Sequence, residues 1–157
     1  MVAQQKVHLN KDRSNGMKMH IGVDDTLSLI HSLETTPANT HDLRVVDQLL
    51  HGEEKRIFGD SGYRGIGDHL GQKKRKAKHS IAAGSIKLWA MDPDSKEVHA
   101  ENLKTSMRAK VEHPFFYIKR MFGYGKVRYR GLAKNHDRLS ALASFSNVLI
   151  GQRYQPT

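Results

Sequence analysis

An α/β domain is what this sequence predicts, on three observations. From Gly16 an alternating run, MKMHIGVD, reads as a strand, with Met17, Met19, Ile21 and Val23 on one apolar face and Lys18, His20, Gly22 and Asp24 on the other. Two other stretches repeat apolar residues at helical spacing: Leu43, Val46, Leu49 and Leu50, then Leu139, Leu142, Phe145 and Leu149. Between them Lys55–Gly59 reads as a short strand that ends at Asp60, before a Ser-Gly turn.

The elements follow in chain order. Val2 to Asn15 is polar and irregular, with at most a short extended piece over Lys6–Leu9. The strand from Gly16 turns at Asp25-Thr26, and Ser28–Thr35 returns as the second strand of an antiparallel hairpin that Pro37 ends. Asn39, with Asp42 three residues on, starts a helix, and Gly52 closes it. After the Lys55–Gly59 strand comes KKRKAKH, within Gln72–His79, four basic residues in a row and a fifth close behind. Such a run is a solvated loop or a phosphate contact. Ser80 to Ala83 supplies the last strand. Gly84–His99 holds Pro93 and the only tryptophan, Trp89, has no clear period, and reads as a loop or lid. A helix starting near Asp94 or Ser95 leads into the stretch around Glu112, and a final helix spans about Asn135 to Arg153.

Composition narrows the function. Lys plus Arg exceeds Asp plus Glu by 26 − 16, a formal charge of +10 on 157 residues. An excess of this size favours a polyanion, most often nucleic acid. A membrane surface is disfavoured, because neither an amphipathic terminal helix nor a lipidation motif is present. With no cysteine there are no disulfides or thiolate metal sites. No apolar run approaches a membrane span and Met1–Asn10 is too polar for a signal sequence, so a cytoplasmic protein is expected.

Three stretches carry candidate chemistry. On a regular helix Arg108, Glu112 and Lys119 fall close to one line, drifting by about 40° and then back by about 20°. A carboxylate between two cations stays ionised, which suits a metal ligand. An ordinary surface helix with an Arg–Glu pair has the same spacing, and Pro114 would kink or restart that helix just past the carboxylate. Asp60, at the carboxyl end of a strand and between Gly59 and Gly62, suits a divalent cation, although Asp before Ser-Gly is also a common turn opener. In GYGKVRYRG, Lys126, Arg128 and Arg130 alternate with Val127 and Tyr129. This run can track a phosphate backbone and stack on exposed bases, or it is a solvated basic loop. His20 and His31 could face each other across the hairpin, but no third ligand is placed to make them a metal site.

The stretch VEHPF…IK..FGY.K.RYRGLAKN, with its Arg, Glu and Lys spacing, resembles the C-terminal signature of the DDE transposases of bacterial insertion sequences, in particular the insertion-sequence-five group. GMKMHIGVD…LIHSLETTPANTHD resembles the same family's hairpin and following helix start, and FGDSGYRG its second-carboxylate motif. The resemblance implies a ribonuclease-H-like fold, a mixed sheet flanked by helices, over residues 16–153, with 1–15 an irregular N-terminal segment. It implies Asp60 and Glu112 as catalytic metal ligands, Arg108 and Lys119 as their support, and Mg²⁺ or Mn²⁺ as cofactor. The expected chemistry is in-line attack on a DNA phosphodiester by two-metal catalysis, with no protein nucleophile. Transposon ends and target DNA are the implied partners, with self-association or a full-length transposase beside them and no membrane.

The sequence departs from that family in three places. Thr105 stands where the family usually has Tyr, and the N-terminal DNA-binding segment is missing. The first carboxylate, expected in an Asp-x-Thr strand before the hairpin, has no match; Asp12 and Asp24 are the nearby candidates. The expectation is therefore a partial catalytic domain lacking its first strand, either a truncated copy or one piece of a protein made in two parts, and inactive alone. The alternatives are a non-catalytic DNA-binding remnant that competes with a full-length enzyme, and a nuclease of the same fold.

Overall fold

A computed structural model describes residues 2–7, 16–52, 54–59, 63–72, 78–81, 102, 106 and 110–154. Its centre is a five-stranded mixed sheet in the order β3-β2-β1-β4-β5. The strands are β1 (Val2–Val7), β2 (Met17–Val23), β3 (Ile30–Pro37), β4 (Arg56–Gly59) and β5 (Lys78–Ile81). The first three form an antiparallel meander, with Gln4 opposite His20 and His20 opposite Glu34. β4 is parallel to β1, meeting it at Val2 and Gly59, and β5 is parallel to β4.

The hairpin and β4 lie where the alternation and the Gly59 turn predict them, and β5 lies two residues earlier than expected. The beginning of the chain differs. The position between the hairpin and β4, where the family's first strand was expected to be lacking and Lys6–Leu9 to serve at most as a short substitute, is filled by Val2–Val7, of which only the end overlaps that piece. This segment is polar apart from its valines and alanine. What holds it is a ladder of six residue pairs against β2, a backbone contribution that composition does not reveal.

β2 is buried along its whole length, on both faces rather than one. Met17, Met19, Ile21 and Val23 join a core with Val111, Phe115, Ile118, Leu139 and Leu142 from the helices packed on that side. On the opposite side a 3₁₀ turn (Asp42–Val45) runs into α1 (Val46–Leu49), and with α2 (Ile66–Gln72) these build a second core around Val46, Leu49, Ile57, Tyr63 and Ile66. The polar residues of β2 face that second layer and are paired within it. Lys18 Nζ lies 2.7 Å from Asp42 Oδ1 and donates to the Thr40 carbonyl. His20 reaches Thr36 Oγ1 at 2.9 Å and the Tyr63 hydroxyl at 3.3 Å. His20 therefore does not meet His31, whose Nδ1 lies 2.9 Å from Nε2 of His51. Gly22 lets the layers approach: a Cβ there would come within 2.5 Å of the His31 and Ser32 side chains and 3.0 Å of the Leu49 carbonyl.

The other layer holds α3, helical over 110–116 and continuing as a π-turn over Tyr117–Met121, and α4 (Leu132–Gly151), which ends in a 3₁₀ turn, Gln152–Tyr154. Pro114 neither breaks nor restarts α3; it is buried within it. α4 begins three residues before the predicted Asn135, and its buried face is Asn135, Leu139, Leu142, Ala143, Ser146 and Ile150. Phe145 was expected in that face and is 58% exposed instead. At about 100° per residue it lies about 110° from the middle of the buried stripe. The small Ala143 and Ser146 define that stripe because they let the helix sit close to the sheet. Among the described residues, no helix is long and apolar enough to cross a membrane.

Candidate functional site

Glu112 is exposed on α3 beside Val111 and Phe115, whose burial fixes the helix against the sheet. Two residues earlier, Lys110 Nζ donates to the Asp25 carbonyl at 3.0 Å. That contact ties this end of α3 to the β2–β3 turn. Lys119 lies past the start of the π-turn and is half-buried, and desolvation holds its ammonium below the usual lysine range. The π-turn is closed by the Phe122 N–H donating to the Tyr117 carbonyl, 2.9 Å. An i→i+5 turn advances each residue through a smaller angle than an α-helix does. The uniform-helix arithmetic that aligned Glu112 with Lys119 therefore does not carry across it. Arg108, the third member of that line, lies outside the described residues, as does Thr105.

Asp60 also lies outside the described residues; it follows directly on Gly59, the last residue of β4, which pairs with Val2 of β1. The strand beside it, Val2–Val7, reads VAQQKV and carries no carboxylate. Asp12 is outside the described residues. Asp24 is committed to its own turn. Its Oδ1 accepts from the N–H groups of Thr26 (2.7 Å) and Leu27 (3.0 Å), and its Oδ2 from Leu29 (3.1 Å). Partial burial pushes its pKa up, but the hydrogen bonds from Leu27, Thr26 and Leu29 outweigh this and hold it below the ordinary value. Both oxygens of Asp24 are thus engaged by backbone donors of its own turn. Among the described residues no three His, Asp or Glu side chains are grouped to hold a metal. Glu112 is the one carboxylate of the implied pair that lies among the described residues, which therefore show no complete donor set for a two-ion centre.

The basic run is a loop between α3 and α4. Lys126, Arg128 and Arg130 are all exposed. Val127 packs against the core, and Tyr124 is buried at 1% exposure. One residue organises the loop. The amide of Asn135, also 1% exposed, accepts from the Tyr124 hydroxyl (2.6 Å) and the Tyr129 N–H (3.3 Å). It donates to the carbonyls of Tyr129 (2.7 Å) and Gly131 (2.6 Å). Gly131, at φ +85°, makes the sharp entry into α4 that brings its carbonyl back to this amide. Sequence reasoning assigned Asn135 no role. The signal available was its place four residues before Leu139, a polar side chain in line with the buried stripe.

These features define a mixed α/β domain whose exposed loop carries clustered positive charge. The family model of the transposase DDE domain matches residues 3–148, and the chain belongs to that family. Membership points to DNA transposition, to DNA as partner, and to the divalent metal that such domains typically use.

Proposed function

We propose that this chain is a DNA-binding catalytic-domain portion of an insertion-sequence transposase, of the insertion-sequence-five group, that does not cut or join DNA by itself. The strand order and directions support a ribonuclease-H-like topology, an antiparallel meander followed by two parallel strands beyond β1. On this reading Asp60 and Glu112 are the carboxylates that would hold Mg²⁺ or Mn²⁺, with Arg108 and Lys119 beside them. The ion would stabilise charge on a phosphodiester oxygen. Val2–Val7, the strand beside the one that ends before Asp60, supplies no further carboxylate to this pair.

The observation that carries the DNA-binding half is the basic loop, three exposed cations on a backbone held by one buried amide. Duplex affinity should fall with log salt by about 0.9 per phosphate contacted. Replacing Lys126, Arg128 and Arg130 together by Ala should lower that slope by roughly two to three units. A slope that does not change in the triple variant would remove the loop from the interface. The lack of a carboxylate in Val2–Val7 also favours a second reading, a non-catalytic competitor of a full-length transposase.

A further inference from the structure

We propose that the cleft beside the basic loop is a binding site for an unpaired nucleobase, with Tyr129 as its stacking platform; this rests on the reading of the loop as a DNA contact. The cleft holds about 470 Å³ and lies between the base of the β2–β3 hairpin and the start of α4. Met17, Pro37, Val127 and Leu132 give it an apolar lining, the exposed Asn39 supplies an amide, and Tyr129 is part of its wall. None of the described residues lining it is acidic, and Lys126, Arg128 and Arg130 stand exposed on the same loop. That charge distribution suits a phosphate backbone passing the mouth with a base turned inward. The loop cations follow the strand, and the cleft takes what a paired duplex does not offer.

The second observation is how Tyr129 is held. A tyrosine that is 43% exposed on a loop ordinarily has freedom to lose when it binds something. Here both backbone polar groups of Tyr129 are paired with the one Asn135 amide, N–H to Oδ1 and carbonyl to Nδ2. That amide is buried and further locked by the Tyr124 hydroxyl. The backbone that carries the ring is thus fixed before any ligand arrives, which lowers the ordering cost of stacking.

The test measures affinity of the whole chain for three DNAs: a blunt duplex, the same duplex with a short thymine tail, and one with an abasic tail of equal length. Tails of equal length carry equal phosphate charge, so a difference between them reports the bases. The thymine tail should bind on the order of tenfold more tightly than the abasic tail. Tyr129→Ala should abolish that preference, whereas Tyr129→Phe should keep it. Leu132→Trp, which fills the cleft, should act like Tyr129→Ala. Equal binding of the two tails by the wild type overturns the site, as does a preference that survives both variants. A uniform loss on all three DNAs in Tyr129→Ala overturns it too, because Tyr129 would then shape the loop rather than stack. Failure of the loop reading itself is seen separately, as a blunt-duplex salt slope that ignores the three cations.

Discussion

At the scale of single residues, the side chains that looked solvent-facing carry the sharpest consequences. His20 is fully buried, and desolvation, with Lys18 acting in the same direction and Asp42 against it, lowers its pKa from 6.5 to about 4. Between those values the unfolded chain binds the proton and the folded one does not, so stability falls as pH drops through that window. A shift of that size corresponds to about 3 kcal/mol. Urea unfolding from pH 7 down to about 4 should show this loss, and His20→Gln should remove most of it. A smaller part should remain, since burial also lowers His31 and His113. A variant whose pH profile matches the wild type would rule His20 out as the source. Gly22 gives a second test, because an added Cβ meets the backbone carbonyl of Leu49 as well as two side chains. Gly22→Ala should cost about 1–3 kcal/mol in the same assay, and a neutral result would mean the layers are looser than the geometry here.

At the scale of elements, what was legible followed from periodicity and what was not followed from long-range pairing. The hairpin, β4 and the apolar stripe of α1 could be read because alternation, apolar spacing and turn residues act over a few neighbours. The helix expected from Asn39 to Gly52 is, however, a 3₁₀ turn capped by His41 and a single α-turn, Val46–Leu49. β1 could not, since VAQQKV has no amphipathic pattern and is placed by its ladder with β2. The π-turn was equally hidden, and a count at uniform α-helical spacing from Glu112 to Lys119 does not hold across it. In the candidate site, the exposure of Lys126, Arg128 and Arg130 on a loop agrees with the alternation of charge in GYGKVRYRG, while the Asn135 amide could not be anticipated. Its role depends on Tyr124 and Tyr129 folding back onto it. The α4 face allows a direct comparison. Leu142→Ala, at a 3% exposed position, should cost about 2–5 kcal/mol, whereas Phe145→Ser, at a 58% exposed one, should cost well under half of that. Phe145 retains a ring contact with Phe122 at 6.3 Å, so a small loss is expected. Equal losses in thermal unfolding would restore Phe145 to the core.

At the scale of the whole molecule, binding DNA and cutting it make separate demands, and on the proposed reading this chain meets only the first. Binding needs clustered cations, and a net charge of +10 with an exposed basic loop supplies them. Two-metal phosphoryl transfer needs ions held about 3.5–4 Å apart by several carboxylates. The strand next to β4, where a further ligand would stand beside Asp60, offers valine, alanine, glutamine and lysine. Asp24, a candidate for the first carboxylate, has both oxygens engaged by the N–H groups of its turn. Releasing it toward a metal would leave three backbone donors to find other partners, at about 1 kcal/mol or more each. Incubation with supercoiled plasmid in Mg²⁺ or Mn²⁺ should therefore leave the plasmid unnicked, while a mobility-shift assay on the same sample shows it bound. Asp24→Asn should change neither result and should appear only as reduced stability, because the amide nitrogen cannot accept as the carboxylate oxygen does. Nicking that disappears in Asp24→Asn would reverse the assignment and make Asp24 the missing ligand.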